Sequence, residues 1–465
     1  MGSIEPSSAS TAQELGLALE EAHKLYTTKN PQSQSHHTQA CQFLPGGNTR
    51  TVLHTTPFPL TIASGSGPTL TTLDNDTYID FLGEYTAGIY GHNHPVIHTA
   101  IKSALSSGWN YGGHNAYESA LAEVVVKRFA PTLELVRFVN SGTEANMMAI
   151  ATALAYTGKS KILLFTKGYH GSTISGRTPS TKKSINLPHD FVVGTYNDVS
   201  GTEALVNDAA TQGHLAAILV EPMLGSGGCY QATAEFLSTL RRLATQNNAL
   251  LIFDEVMTSR LGYSGLGATT GVTPDLMTLG KWVGGGMSFG LFGGRRDIMQ
   301  LYDPRSGSLE HPGTFNNNVF TMRAGLAGCA LLTKEVINAL NERGEDMKRR
   351  IETVLHESGV SAVGGSGVVV PTSPILDDRM HEAAHPHRPP KMFVKGVGSL
   401  MVIHFAGPDR DVLQGLYYHW MLQRGVYLAQ RGFIALNILI TDDHVATFVQ
   451  ALKSFVDKWR SALTW

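Results

Sequence analysis

Short apolar runs alternate with longer helix-like stretches through the middle of the chain, and this alternation is the feature that most constrains the fold. The strand-like runs are Leu135–Val139, Ile162–Phe165, Ala216–Val220, Leu250–Phe253 and Leu276–Leu279. The helix-like stretches between them include Ser119–Phe129, Thr143–Tyr156 and Ala234–Thr245. Because consecutive parallel strands need a crossover, usually a helix, the pattern predicts an α/β fold with a mainly parallel sheet covered on both faces.

The two ends of the chain have a different pattern. An amphipathic stretch at Leu15–Tyr26 predicts a surface helix in an otherwise polar N-terminal region. After about Gly325 long helix-like stretches dominate, with a strand at Ser399–Phe405 and a final helix near Asp442–Leu463. The C-terminal third therefore predicts a smaller α+β domain.

These changes of pattern divide the 465 residues into three parts, close to the length expected for two or three domains. Residues 1–68 are predicted to contribute to the small domain, residues 69–325 to form the large domain, and residues 326–465 to form the small domain. Within the last part, residues 364–391 mix Gly, Pro and His without periodicity. We interpret them as an inserted, solvated loop.

Charge and cysteine content exclude several classes of protein. Lys and Arg number 36 against 38 Asp and Glu, a net charge of −2, whereas nucleic-acid or anionic-membrane binding needs a basic face. No apolar run approaches the ~20 residues of a membrane-spanning helix. The three cysteines, Cys41, Cys229 and Cys329, are widely spaced, which favours a reducing compartment. With no secretory signal at the start, we expect a cytoplasmic protein.

Glycine is in excess, at 49 of 465 residues against a usual share of about 7 %. The excess does not serve the commonest nucleotide-binding motifs: the sequence contains no phosphate loop and no complete G-x-G-x-x-G. Glycines instead cluster beside three groups of polar residues, each placed near the end of a predicted strand. These groups are the candidate site.

The first group is at the start of a predicted helix. A buried strand ends near Asn140, and Ser141, Gly142 and Thr143 follow where the helix begins. Free N–H groups and the helix dipole favour an anion at such a position, and the two hydroxyls would add donors to a phosphate. Ordinary N-capping by Ser or Thr is the alternative.

The second group is a pair of carboxylates after another strand. Asp254 and Glu255 follow the apolar run ALLIF, so at least one of them lies at the carboxyl edge of the sheet, where open α/β sheets bind ligands. A buried carboxylate needs a cationic partner. That partner is a ligand cation or, alternatively, an arginine such as Arg260.

The third group surrounds a lysine. Lys281 follows a strand and is flanked by Gly280 and Gly284–Gly286, with almost no other charge nearby. Apolar surroundings lower the pKa of a lysine and release its amine as a nucleophile. A phosphate cradle, an acid at a strand end and a desolvated lysine, in this order, predict a site for pyridoxal 5′-phosphate (PLP).

Histidines suggest a metal site in two places, and we predict none in either. His92 and His94 alternate along the chain, and alternate residues rarely chelate one ion from one strand face. A second group in 364–391 is His381, His385 and His387. The prolines among them disfavour the helix that would align such ligands.

Several motifs together resemble the class III (fold type I) aminotransferases: NSGTEAN, KGYHGS, LVEPMLGSGG, DEVMTSR, TLGKWVGGGMSFG and GTFNNN. The resemblance runs from about Phe43 to the C-terminus, interrupted by 364–391. Within the family, the segments FLPGGNTRTVLH, FLGEYTAGIYGHNHP and YLAQRGFIAL are similar to the β-phenylalanine aminotransferases. The glutamate-1-semialdehyde aminomutases are the next most similar group.

The resemblance implies roles for individual residues toward PLP. Lys281 matches the Schiff-base lysine, and Asp254 matches the partner of the pyridine nitrogen. The phosphate-binding turn matches Ser141, Gly142 and Thr143. Tyr169 and Val256 match the residues on the two faces of the ring, and Thr314 matches a threonine that reaches the phosphate of the neighbouring subunit. The family therefore implies a homodimer with shared active sites.

The resemblance also implies a substrate pocket. Arg50 and Arg431 match the carboxylate-binding arginines of the β-amino-acid enzymes, a role that suits the planar, bidentate guanidinium. Glu84 and Tyr85 are expected to line the same pocket. The alternatives are surface ion pairs for the two arginines and a place in the hydrophobic core for Tyr85.

The implied activity is transfer of the amino group of a β-amino acid to a keto acid such as 2-oxoglutarate. Intramolecular transfer by a glutamate-1-semialdehyde aminomutase is the alternative, and two carboxylate-binding arginines fit two exchanged acids better. A racemase or decarboxylase using PLP, and a non-catalytic PLP-binding protein, are less favoured. The last of these predicts loss of Lys281 or Asp254, and both are present.

Overall fold

The computed structural model describes residues 8–176, 185–360 and 389–464. The α-helices within these residues are α1 (Ser8–Lys29), α2 (Pro31–Ala40), α3 (Pro95–Ser107), α4 (Ala116–Arg128), α5 (Gly142–Thr157), α6 (Val199–Asn207), α7 (Ala234–Gln246), α8 (Arg296–Met299), α9 (Val319–Leu331), α10 (Lys334–Glu357), α11 (Arg410–Leu422) and α12 (Asp442–Leu463). Each predicted helix is therefore confirmed, with ends that differ by a few residues. The helix predicted at Leu15–Tyr26 is the longer helix α1.

The strands of the described residues form four sheets. They are β1 (Ile62–Ser66), β2 (Thr69–Thr72), β3 (Thr77–Asp80), β4 (Leu135–Val139), β5 (Lys161–Phe165), β6 (Asp190–Gly194), β7 (Leu215–Val220), β8 (Met223–Leu224), β9 (Tyr230–Gln231), β10 (Leu250–Asp254), β11 (Leu276–Gly280), β12 (Gly290–Gly294), β13 (Met392–Val397), β14 (Leu400–Phe405), β15 (Val426–Tyr427) and β16 (Phe433–Ala435). All five strand runs predicted for the large sheet are present.

A seven-stranded sheet organises the large part of the chain, in the order β4-β12-β11-β10-β7-β5-β6. Strand β12 is antiparallel to both of its neighbours, and the other pairings in the sheet are parallel. Alternate residues of the central strands pack into two separate clusters: Ala217 and Leu219 face one, and Ile218 faces the other. Helices therefore cover both faces, as the alternating pattern predicts.

The remaining sheets tie the two ends of the chain together. The sheet β1-β2-β3-β15 pairs N-terminal strands with β15, and Val426 lies opposite Ile79 in parallel register. Strands β13, β14 and β16 form an antiparallel sheet, and β8 pairs with β9. The domain boundaries at 68/69 and 325/326 stay predictions; the first lies in the turn between β1 and β2.

The predicted insertion 364–391, with its three histidines, lies almost wholly outside the described residues. No helix in the part of the chain that the structure describes has the length and apolar character needed to cross a membrane.

Candidate active site

The site lies at the carboxyl edge of the seven-stranded sheet. Asp254 is the last residue of β10, Lys281 directly follows β11, and Glu221 directly follows β7. The turn before α5 follows β4, and the segment with Tyr169 follows β5. Parallel strands end at the same edge, so residues far apart in sequence meet there.

Asp254 is the most constrained acid of the site, with only 4 % of its surface exposed. Its Oδ2 accepts hydrogen bonds from Nδ2 of Asn146 (2.7 Å) and Nδ1 of His170 (2.8 Å), and its Oδ1 accepts from the N–H of Val256 (3.0 Å). Asn146 is fixed in turn, because its Oδ1 accepts from the Thr278 hydroxyl at 2.7 Å. These donors hold a negative charge in one orientation at the end of β10.

The alternative of Arg260 as the partner of Asp254 is wrong. The guanidinium of Arg260 is buried, but it donates to the Ser399 hydroxyl and to the carbonyl of Leu436. The ionisable side chain that pairs with Asp254 is instead that of His170, at 2.8 Å.

Glu255, the other acid of the pair, holds the loop that follows it. It accepts from the Thr258 hydroxyl (2.9 Å) and from the N–H groups of Leu266 and Gly267 (2.8 Å each). Its side chain is fully buried, and this burial raises the pKa of the Glu255 carboxyl to about 7.

Glu255 leads to a prediction about stability and pH. Its folded pKa of about 7 is above the ordinary value of 4.5, so the folded state holds a proton that the unfolded state releases between these values, and the free energy of unfolding falls as pH rises through this window. Between pH 4.5 and 7 the free energy of unfolding of a Glu255→Gln variant should fall by about 1–3 kcal/mol less than that of the original protein. Denaturant unfolding at several pH values measures it. The exposed Glu235→Gln is the control, and an unchanged slope in Glu255→Gln contradicts the prediction.

Lys281 has an unusual backbone and an acceptor for its amine. Its φ is +54°, a conformation rare for residues other than glycine and concentrated at functional sites. Its Nζ donates to the backbone carbonyl of Tyr85. Burial lowers the pKa of Lys281 to about 8, and the positive charge of Arg50 acts in the same direction. This agrees with the lowered pKa predicted from the glycine-lined sequence.

The turn before α5 combines a helix cap with an open cradle. Ser141 is the N-cap, and its Oγ accepts from the N–H of Glu144 at 3.1 Å. The predicted capping role is therefore present, and the hydroxyl hydrogen stays available to a ligand. A Cβ on Gly142 would lie 2.8 Å from Cγ1 of Val256, so only glycine fits between the turn and Val256. A Cβ on Gly280 would lie 3.2 Å from the same atom, which places Val256 between the cradle and the strand that leads to Lys281.

Tyr169 lies on a loop that a buried carboxylate holds. Glu221 accepts from the N–H of Tyr169 (3.0 Å) and from the N–H of Gly225 (2.9 Å). Burial raises the pKa of Glu221 above its ordinary value. The side chain of Tyr169 stays 41 % exposed, so its ring is available to a ligand above the sheet edge.

The two predicted arginines meet at one aromatic ring. The guanidinium carbons of Arg50 and Arg431 lie 5.4 Å and 5.5 Å from the centre of the Tyr85 ring. Arg50 also pairs with Glu84, and Arg431 donates to Ser226 at 3.2 Å. Tyr85 itself is 8 % exposed, and its hydroxyl donates to the carbonyl of Val52. Tyr85 is thus both a buried residue of the hydrophobic core and the aromatic ring that lies between the two arginines.

The remaining predicted residues stand apart from this group. Thr314 is exposed, on the segment between α8 and α9, and the same segment is tied to the cradle because Nδ2 of Asn140 donates to Oδ1 of Asn316. His92 pairs with Asp80, and His94 caps α3 by accepting from the N–H of Val96. No group of three potential metal ligands occurs among the described residues.

Sequence reasoning missed Asn146, His170 and Glu221. Asn146 and His170 lie inside the motifs NSGTEAN and GYHG, but neither spacing shows that both donate to Asp254. Glu221 directly follows an apolar strand run, the same signal that identified Asp254. Glu221 was therefore predictable from the sequence.

A model of the family described as aminotransferase class-III matches residues 53–456. The β-phenylalanine transaminase of Variovorax paradoxus is 42 % identical over 452 residues, which are 94 % of this chain and 96 % of that protein. A glutamate-1-semialdehyde 2,1-aminomutase of Methanosarcina acetivorans is 38 % identical over 424 residues, 86 % of this chain and 92 % of that protein.

Solved structures show the same similarity. The crystal structure of a β-phenylalanine aminotransferase from Variovorax paradoxus superposes with a TM-score of 0.86 at 41 % identity, covering 97 % of this chain and 99 % of that chain. A transaminase with PLP bound superposes with a TM-score of 0.81 at 28 % identity, covering 93 % and 99 %.

Proposed function

Because the chain belongs to the class-III aminotransferases, it is a PLP-dependent transaminase, and we propose that its amino donor is a β-amino acid similar to β-phenylalanine. The proposed acceptor is a keto acid such as 2-oxoglutarate. The observation that carries the proposal is the pair Arg50 and Arg431 on the ring of Tyr85, whose carbonyl accepts from Lys281. Similarity to the β-phenylalanine transaminase supports it.

The residues present fit PLP. The N–H groups and hydroxyls of Ser141, Gly142 and Thr143 would hold the phosphate, in a cradle that a side chain at Gly142 would fill. Lys281 would bind the cofactor covalently, and Asp254 would pair with the pyridine nitrogen. Tyr169 and Val256 would contact the two faces of the ring.

We include a homodimer in the proposal. Thr314 is exposed, as a residue must be to reach the site of a neighbouring subunit, and Phe315 beside it is 61 % exposed. A partner subunit that contacts Thr314 would also cover this ring.

Bound PLP supplies an electron sink for the charge that develops when the substrate loses a proton. The proton at issue is on the carbon that carries the amino group, and Lys281 is the base in the proposal. With a pKa of about 8, an appreciable fraction of its amine is neutral near pH 7, and a base works best when its pKa lies near the working pH.

The other residues orient and hold charge. Asp254, with three donors on its oxygens, presents a fixed negative charge to the pyridine nitrogen. Arg50 and Arg431 bind the carboxylates of the amino donor and of the keto acid in turn. Glu84 forms an ion pair with Arg50, and a substrate carboxylate takes the place of Glu84 in this pair.

Removing either arginine should weaken substrate binding more than turnover. For Arg50→Gln and Arg431→Gln we expect KM to rise about 10- to 100-fold for the substrate whose carboxylate loses its guanidinium partner, because such a pair is a charge-assisted hydrogen bond. Steady-state kinetics with β-phenylalanine and 2-oxoglutarate show which substrate each arginine serves. Arg424→Gln is the matched control, since Arg424 also stacks on an aromatic ring, 3.7 Å from the centre of the Trp420 ring. Equal effects in all three variants contradict the assignment.

A substrate panel tests the function itself. β-Phenylalanine, an aliphatic ω-amine and glutamate-1-semialdehyde are each supplied with and without 2-oxoglutarate. Consumption of β-phenylalanine only with the keto acid present supports the proposal. Consumption of the semialdehyde without any keto acid supports an aminomutase instead, the alternative that similarity to the aminomutases favours.

A further inference from the structure

The carbonyl that receives Lys281 belongs to a left-handed turn. Four consecutive residues, Gly83, Glu84, Tyr85 and Thr86, have φ of +53°, +47°, +50° and +84°. Three of the four carry side chains, and left-handed backbone is unfavourable for such residues. The surrounding structure must therefore hold this turn in place.

One buried aspartate holds the start of the turn. Oδ1 of Asp80 accepts from the N–H groups of Leu82 (2.8 Å) and Gly83 (3.0 Å), while its Oδ2 accepts from Nε2 of His92 (2.9 Å). Asp80 is 1 % exposed. Strand β16 closes the other side, since a Cβ on Gly83 would lie 2.5 Å from the carbonyl oxygen of Ala435.

We infer that Asp80, oriented by His92, is a positioning residue for Lys281: it holds the left-handed turn that presents the Tyr85 carbonyl to Nζ. The inference rests on the proposed role of Lys281. It adds two residues that touch neither the cofactor cradle nor the arginines. The Tyr85 ring is held separately, by its hydroxyl on the carbonyl of Val52 and by Phe433, whose ring is parallel to it at 6.2 Å.

This separation predicts a particular pattern of effects. In Asp80→Ala the carbonyl loses its position while the Tyr85 ring keeps its own contacts. We therefore expect kcat to fall about 10- to 100-fold, the cost of misplacing a reacting group by about 1 Å, with KM for the amino acid changed less than kcat. Loss of folded enzyme also lowers the apparent kcat at unchanged KM, so kcat is expressed per folded protein.

A second readout does not need turnover. Apoenzyme is mixed with PLP, samples are reduced with borohydride over time, and the modified Lys281 peptide is quantified by mass spectrometry. In Asp80→Ala the rate of covalent capture should fall about 10-fold or more. Asp80→Asn keeps an oxygen acceptor for both N–H groups and should stay within about 3-fold of the original rate.

Asp74→Ala is the matched control. Asp74 also accepts hydrogen bonds from two backbone N–H groups, those of Gln32 and Ser33 at the start of α2. Asp74→Ala therefore removes a similar side-chain cap that is not connected to the Lys281 turn. His92→Ala leaves the cap on Leu82 and Gly83 intact and keeps the test open if Asp80→Ala does not fold; it should slow capture about 3-fold.

The outcomes separate the two proposals. Capture at a lysine other than Lys281 contradicts the proposed function. Capture at Lys281 that is as fast in Asp80→Ala, or in His92→Ala where the former does not fold, as in Asp74→Ala overturns only the positioning role. Slow capture in Asp80→Ala with rescue in Asp80→Asn supports it.

Discussion

Lys281→Ala is expected to lose transamination by more than about 10⁴-fold, since one side chain supplies both the covalent attachment and the base. The same change should stabilise the apoenzyme at pH 7. The folded pKa of Lys281, about 8, is below its ordinary value of 10.5, so the folded state disfavours the charged form and stability is lost as pH falls from 10.5 toward 8. Removing the amine removes that loss, about 1–2 kcal/mol. Steady-state rates and denaturant unfolding of the apoenzyme measure the two effects.

Lys395→Ala is the control for this variant. Lys395, on β13, is also a partly buried lysine with a lowered pKa, but it lies on a different sheet. It should keep its activity. Activity retained in Lys281→Ala, or borohydride trapping of PLP on another lysine, sinks the assignment of Lys281.

Asp254→Asn should lower kcat about 10²–10³-fold, the scale of losing one preorganised electrostatic contact. The substitution preserves size but removes the charge opposite the pyridine nitrogen. It also replaces one acceptor oxygen by an N–H₂ group, while two donors, Nδ2 of Asn146 and Nδ1 of His170, point at this side chain. Affinity for PLP should weaken at the same time, and titration of the apoenzyme with PLP measures it.

Glu255→Gln provides a stringent comparison, because Glu255 is the next residue, is fully buried and accepts three hydrogen bonds. Its partners lie in the loop at 258–267, and none of them is in the site. We expect its kcat to stay within about 3-fold of the original, since only an electrostatic contact to the reacting group carries the larger effect. A loss as large as that in Asp254→Asn would show that both acids act through loop structure.

The strands of the large sheet were predictable where both faces are buried. Strands β7, β10 and β11 are mostly apolar and every residue in them is buried, the pattern that parallel central strands impose. Two strands of this sheet were not predicted. Strand β6, at the sheet edge, begins with Asp190 and is half-exposed. Strand β12 carries three glycines, and a Cβ on any of them would lie within 2.5 Å of a backbone carbonyl oxygen, at 2.1 Å for Gly290, 2.5 Å for Gly293 and 2.1 Å for Gly294.

The candidate site could be predicted as a set of strand ends. Ser141, Asp254 and Lys281 each follow a buried strand, and the fold brings them to one edge. The meeting of Arg50 with Arg431 depended instead on the resemblance, because the two lie 381 positions apart in the printed sequence and no local pattern joins them. The partners that orient Asp254 were likewise invisible, since side-chain geometry between elements has no signature in spacing.

By itself, the sequence determined the order of strands and helices, the edge at which polar residues follow strands, and the chemistry that an acid, a lysine and a helix start can perform. Burial and helical period act over a few residues, so they are legible in a linear chain. Only the tertiary structure decided how Lys281 is held. The left-handed turn at Gly83–Thr86 opposes the local preference of its own residues, and it exists because Asp80, His92 and β16 hold it from outside.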